Sequence, residues 1–149
     1  MEDLTRLDSI FKPKSVAVIG AGAAPGKLGH DILANLKNGG FAGPLYPINP
    51  KAEEILGLKV YKAIADAPAA PELAVVVIPA KIVAPTLEQC AEKAVKAAIV
   101  ITGGFAETGP DGERLQDEMA QVIRRTGLKV VGPNCQGVNM PHHLMCASW

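Results

Sequence analysis

The sequence predicts an α/β domain with a doubly wound, mainly parallel sheet of about five strands between helical layers, a three-layer α/β/α plan of Rossmann-like type. Three observations predict it. Short apolar runs recur at residues 15–19, 45–48, 73–78, 97–101 and 128–131. Between most of these runs the apolar spacing changes to the three-to-four-residue period of a helix, and such alternation with short links builds parallel βαβ units. The first run is followed directly by Gly20, Gly22, Gly26 and Gly29, a tight turn opening a helix.

Each element has its own signal. Leu4, Leu7, Ile10 and Phe11 suggest a short amphipathic lead-in helix stopped by Pro13. Val16, Ala17, Val18 and Ile19 form an uninterrupted apolar strand of the kind covered on both faces. Leu28, Ile32, Leu33 and Leu36 share one helical face over residues 27–37, and Asn38-Gly39-Gly40 is the stop. Residues 45–48 form the second strand, broken by Asn49 and Pro50. Residues 51–56 suggest a brief helix, 58–61 a small strand or extended link, and 64–67 another short helical turn. Residues 73–78 (LAVVVI) are the clearest buried strand, ended by Pro79. Pro85 suits the first position of a helix, whose face is Leu87, Cys90, Ala91, Ala94 and Val95. Residues 97–101 make the fourth strand. Residues 111–125 make the strongest helix, with Leu115, Met119, Val122 and Ile123 inward, Arg124 and Arg125 in the last turn and Gly127 as stop. The fifth strand, 128–131, ends at Gly132-Pro133.

Composition narrows the functional classes. Fifteen basic and fifteen acidic residues balance, so no electrostatic footprint for nucleic acid or an anionic membrane is present. No apolar run is long enough to span a bilayer, and the first residues lack the basic and apolar regions of a signal peptide. Cys90, Cys135 and Cys146 are odd in number and lack zinc-type spacing, which points to a reducing cytoplasm. A homo-oligomer is compatible with this composition.

Ligands of doubly wound sheets bind beyond the carboxyl ends of the strands. Those ends are residues 20–22, 49–51, 79–80, 102–104 and 133–134, and they should converge on one edge. The glycine turn exposes backbone amides at the positive end of a helix dipole, a place for a phosphate. The spacing Gly-x-Gly-x-x-x-Gly is one residue longer than the dinucleotide fingerprint. Asn49 and Pro50 stand where an acid would hold the ribose hydroxyls of NAD, and Lys51 instead offers a cation. A cation there suits a ligand with a phosphate on its ribose, NADP or coenzyme A. No Gly-Lys-Ser/Thr follows, so the turn is not a Walker loop.

Several stretches together resemble the opening of the NDP-forming acyl-CoA synthetases: residues 7–20 (LDSIFKPKSVAVIG), 25–29 (PGKLG), 46–51 (YPINPK), 99–107 (IVITGGFAE) and 132–137 (GPNCQG). This family includes ADP-forming acetyl-CoA synthetases and is similar to the α subunit of succinyl-CoA synthetase. The resemblance covers essentially all of residues 1–149 and implies one N-terminal CoA-binding domain. It implies that Gly20, Gly22, Ala23, Ala24, Pro25, Gly26, Lys27 and Leu28 contact the phosphate and pantetheine regions of CoA. Asn49, Pro50 and Lys51 would lie near the CoA phosphate, Ile78, Pro79, Ile101, Thr102 and Gly103 along the groove, and Asn134 near the thiol. Many relatives have Ser in place of Gly22, and succinyl-CoA synthetases an acid in place of Gly103.

The resemblance also implies what lies elsewhere. These synthetases work through a phosphorylated histidine in a following domain, and His30, His142 and His143 do not sit in its motif. The domain alone is therefore expected to be inactive, its parent an acid–thiol ligase whose other domains or subunit supply the phosphohistidine and nucleotide site. The protein is expected to continue past Trp149. The same module occurs fused to protein lysine acetyltransferases, so a CoA-sensing regulatory domain is the alternative, followed by an NADP-binding reductase domain. Cys135, His142, His143 and Cys146 match no zinc pattern, and Glu107 reads as a solvated loop acid.

Overall fold

The computed structural model describes residues 7–149. Leu4 of the lead-in helix lies outside them. The main sheet contains β1 (Val16–Ile19), β2 (Leu45–Ile48), β5 (Leu73–Val76), β6 (Ala97–Val100) and β7 (Lys129–Val131). Its order is β2-β1-β5-β6-β7 and every pairing is parallel. The helices are α1 (Asp8–Phe11), α2 (Leu28–Asn38), α3 (Val83–Glu92) and α4 (Pro110–Thr126).

Strand alternation divides the core into two layers. Val16, Val18, Leu73, Val75, Ala97 and Ile99 point to one face, where Ile32, Leu33 and Leu36 of α2 cover them. Ala17, Ile19, Ala74, Val76, Ala98 and Val100 point to the other, packed by Val83, Leu87 and Cys90 of α3 and by Met119 and Val122 of α4. Burial pushes the Cys90 thiol up to about 12. Leu115 and Ile123 complete the α4 face from half-buried positions, and Gly127 ends that helix in the left-handed region at φ 71°.

The order in which the chain adds strands to the sheet reverses between β1 and β5, which defines the switch point. Outside β2, Tyr61 makes a single parallel bridge to Ile48, donating from its amide to Pro47 O and accepting from Asn49 N at 3.0 Å each. A further strand position is thus reduced to one residue. Pro47 fits β2 because its carbonyl, and so its missing N–H, faces this outer side rather than β1.

Two sequence expectations change, and two segments gain detail. Residues 51–56 are not a helix: β3 (Glu54–Ile55) and β4 (Leu58–Lys59) form an antiparallel hairpin, turned by Leu56 and Gly57 at φ 53° and 74°. The 64–67 turn is a 3₁₀ turn at Ile64–Asp66. A 3₁₀ turn at Ala80–Ile82 leads into α3, so Pro85 is the third helical residue, where its absent N–H is still one of the unpaired first-turn donors. After β7 and a cis Gly132–Pro133 peptide comes a second hairpin, β8 (Gly137–Met140) and β9 (Met145–Ser148). Its Met145 and Ala147 are fully buried in the α2 layer.

Candidate functional site

The first strand delivers the chain into a turn that only glycine can make. Gly20 has φ +92°, and a Cβ there would stand 2.0 Å from Val77 O. Its N–H donates to Ile48 O at 3.0 Å, tying the loop to β2. A Cβ on Gly29 would stand 2.0 Å from Gly20 O, so α2 starts against the loop backbone itself. Gly22 and Gly26 instead face open space. Asp31, in the first turn of α2, accepts from Gly26 N at 3.0 Å and lies 3.1 Å from His30 Nδ1. The His30 bond first, then the Gly26 amide, hold its carboxyl below the usual range. Lys27 provides no side-chain cap. Among the described residues the amides of Leu28 and Gly29, the first two of α2, find no acceptor.

The other strand ends are laced to one another. Asn49 Nδ2 donates to Ala21 O at 2.6 Å, while its Oδ1 accepts from Lys51 N at 2.8 Å and Ala52 N at 3.2 Å. Its amide therefore fastens the end of β2 to the glycine loop. Thr102 Oγ1 donates to Ile78 O at 2.7 Å and accepts from Ile78 N at 3.2 Å, and Thr102 O accepts from Asn134 N at 2.9 Å. Around Gly103 a Cβ would meet Asn134 Oδ1 and Glu107 Oε1, each at 3.3 Å. Glu107 is exposed but not idle: Oε1 accepts from Gly104 N at 2.6 Å and Phe105 N at 3.1 Å, and these backbone amides, Gly104 first, lower its pKa. Cys135 Sγ donates to Val100 O at 3.4 Å.

Beside the switch point lies a cleft of about 190 Å³. Ile19, Ile48, Ile64, Ile78 and Ile82 form its walls, Gly20 and Pro50 border it, and Thr86 and Gln89 of α3 add polar groups. Among the described residues Lys62 is its only charged lining residue. Of the residues expected from sequence, Gly20, Pro50 and Ile78 line this cleft. Residues 22–27 form the loop that follows Gly20 and Leu28 opens α2, exposed from residue 23 on, Lys51 stands on the turn after β2, Pro79, Gly103 and Asn134 are exposed at the other strand ends, and Ile101 is buried. Sequence reasoning missed Lys62, Thr86 and Gln89. The Lys62 signal was present: it follows Tyr61, and a strand ending there adds one more strand end to the edge. Among the described residues no three His, Cys, Asp or Glu gather as a metal set, and no helix is long and apolar enough to cross a membrane.

A parallel sheet with a glycine loop at a helix N-terminus and an apolar cleft at its switch point defines a binding domain for a phosphate-bearing nucleotide ligand. The chain belongs to the CoA binding domain family, whose model matches residues 14–141. It is 42% identical over 136 residues to the acetate–CoA ligase [ADP-forming] II subunit alpha of Pyrococcus furiosus, covering 91% of this chain and 30% of that protein. Among solved structures, the dinucleotide forming acetyl-coenzyme A synthetase 1 of Ca. Korarchaeum cryptofilum, in complex with phosphate and ADP, superposes with a TM-score of 0.91 at 38% identity. That match covers 99% of this chain and 31% of that one. A Pyrococcus horikoshii OT3 protein gives a TM-score of 0.90 at 43% identity, over 95% of this chain and 32% of its own. The chain thus spans about a third or less of the relatives it matches.

Proposed function

We propose that this chain is the CoA-binding module of an ADP-forming acyl-CoA ligase, and that it works in the cytoplasm. The observation that carries the reading is the pairing of loop and cleft. Amides at the start of α2 that are unpartnered among the described residues follow a glycine loop with room beside Gly22 and Gly26, and Gly20 at the base of that loop borders an apolar cleft lined by Lys62. The loop amides would hold the pyrophosphate, with the helix dipole favouring its charge. The pantetheine arm would run along the strand ends past Thr102 and Gly103, and the thiol would emerge near Asn134. The residues expected to bind but locked in internal bonds, Asn49 and Thr102, act by fixing the loop and groove rather than by reaching the ligand. Asn49 occupies the position of the ribose-binding acid in dinucleotide sites, and its amide is engaged by the loop. This disfavours NAD.

Within such a ligase the module presents the CoA thiol, and the groups that activate the acyl acid and handle the nucleotide come from the remaining domains or subunit. The test is calorimetric titration of the protein with CoA and NADPH. CoA binding with no NADPH response is expected. NADPH binding without a CoA response overturns the reading.

A further inference from the structure

We propose that Lys62, rather than Lys51, recognises the ribose 3′-phosphate of CoA, with the adenosine end of the ligand seated in the isoleucine-walled cleft. This inference rests on the CoA reading above and adds which end lies where and which cation sets the preference.

Size decides the first part. A cleft of about 190 Å³ is smaller than the roughly 300–1,000 Å³ of pockets that enclose drug-sized ligands, so it takes one end of CoA and not the whole. Chemistry decides which end. The pantetheine arm is neutral, whereas the nucleotide end carries all the phosphates beside a flat base. The cleft offers the complement of that end: apolar isoleucine walls for the faces of a base and a single cation. Gln89, on α3, brings a side-chain amide with both a donor and an acceptor to the same cleft.

Position decides between the two lysines. Lys62 lines the cleft, and its Nζ donates to Ala52 O at 3.0 Å. That bond uses one of three ammonium donors and holds the charge beside the turn after β2, leaving two donors for an anion. Lys51 is not part of the lining, and it is its backbone amide that bonds, to Asn49 Oδ1. The same Lys62 contact makes a purely structural role conceivable, since Ala52 belongs to the turn that carries Lys51. A structural role would weaken every ligand of the cleft alike, whereas phosphate recognition acts only on ligands that carry the 3′-phosphate.

The experiment is calorimetric titration of the wild-type protein, Lys62→Gln, Lys62→Arg and Lys51→Gln with CoA and with dephospho-CoA. Wild-type protein should prefer CoA. Lys62→Gln should lose about tenfold or more in CoA affinity, the scale of a charge-assisted hydrogen bond, and keep its dephospho-CoA affinity within about twofold. Lys62→Arg should restore the preference, and Lys51→Gln should retain most of it. Equal weakening of both ligands by Lys62→Gln overturns the inference, as does a preference that survives Lys62→Gln and disappears with Lys51→Gln. Wild-type binding of both ligands with equal affinity overturns this inference and leaves the CoA reading standing. Wild-type failure to bind either overturns the CoA reading itself.

Discussion

Gly29 and Gly22 look alike in the sequence and are opposites in the structure. At Gly29 an added Cβ would meet the Gly20 carbonyl oxygen at 2.0 Å, backbone against backbone, so neither side can yield without moving α2. Gly29→Ala should cost about 1–3 kcal/mol in urea denaturation, as overpacking does, and should weaken CoA binding by displacing the loop amides. At Gly22 nothing lies within 4 Å of the added atom and the backbone is outside the left-handed region. Gly22→Ser should therefore change stability by no more than about 0.5 kcal/mol and leave a hydroxyl in the loop. A glycine count marks the loop but does not separate these roles, because the difference lies in the Gly20 carbonyl that closes on Gly29 and the open space beside Gly22. The lysines show the same limit. Lys51 follows a visible strand, whereas Lys62 follows a one-residue bridge at Tyr61 whose partner, Ile48, is thirteen positions upstream of it.

At the scale of elements, the parallel sheet was legible because its strands are short, continuous and apolar, and α4 because its face, charges and stop agree. Both hairpins were not. Reading β3 and β4 as a turn requires Leu56 at φ 53°, a conformation that a leucine side chain disfavours and no local pattern announces. The β8–β9 hairpin alternates weakly and its purpose is tertiary. Met145 is fully buried against the α2 layer, and Asn35 Nδ2 of α2 donates to Ser148 O at 2.9 Å. The hairpin is therefore part of the core. Met145→Ala should cost about 2–5 kcal/mol, measured as a lower urea midpoint with unchanged slope. A change confined to local fraying of residues 137–148, seen by hydrogen exchange with no global loss, would contradict this.

For the whole molecule, the two ends of the sheet do different work. The carboxyl ends stay open for a ligand, while the amino ends are stapled by one residue. Glu72 Oε1 accepts from Lys96 Nζ at 2.7 Å, its Oε2 accepts from Lys14 N at 2.9 Å, and its own N–H donates to Ser15 Oγ at 3.0 Å. This joins the starts of β1, β5 and β6. The Lys96 bond first, with the Lys14 amide behind it, lowers the Glu72 pKa from its ordinary 4.5. A carboxyl with a depressed folded-state pKa adds stability above its unfolded value, and that stability disappears as pH falls through the folded one. Glu72→Gln should thus destabilise by at most about 1 kcal/mol at pH 7, and the difference from wild type should shrink once pH drops below about 4.5. Urea denaturation at neutral and acidic pH checks it, and an equal gap at both would refute it.

The one-residue bridge at Tyr61 has a consequence for how copies of this protein meet. An open parallel sheet normally presents two rims of unpaired amides and carbonyls, a template on which another chain can add a strand and begin to aggregate. Here one rim is β2, where Pro47 has no amide to offer and Tyr61 already occupies its carbonyl. The other is β7, only three residues long and opened by a lysine. Neither rim offers a long run of free pairing groups, so self-association by extension of this sheet is suppressed at both sides.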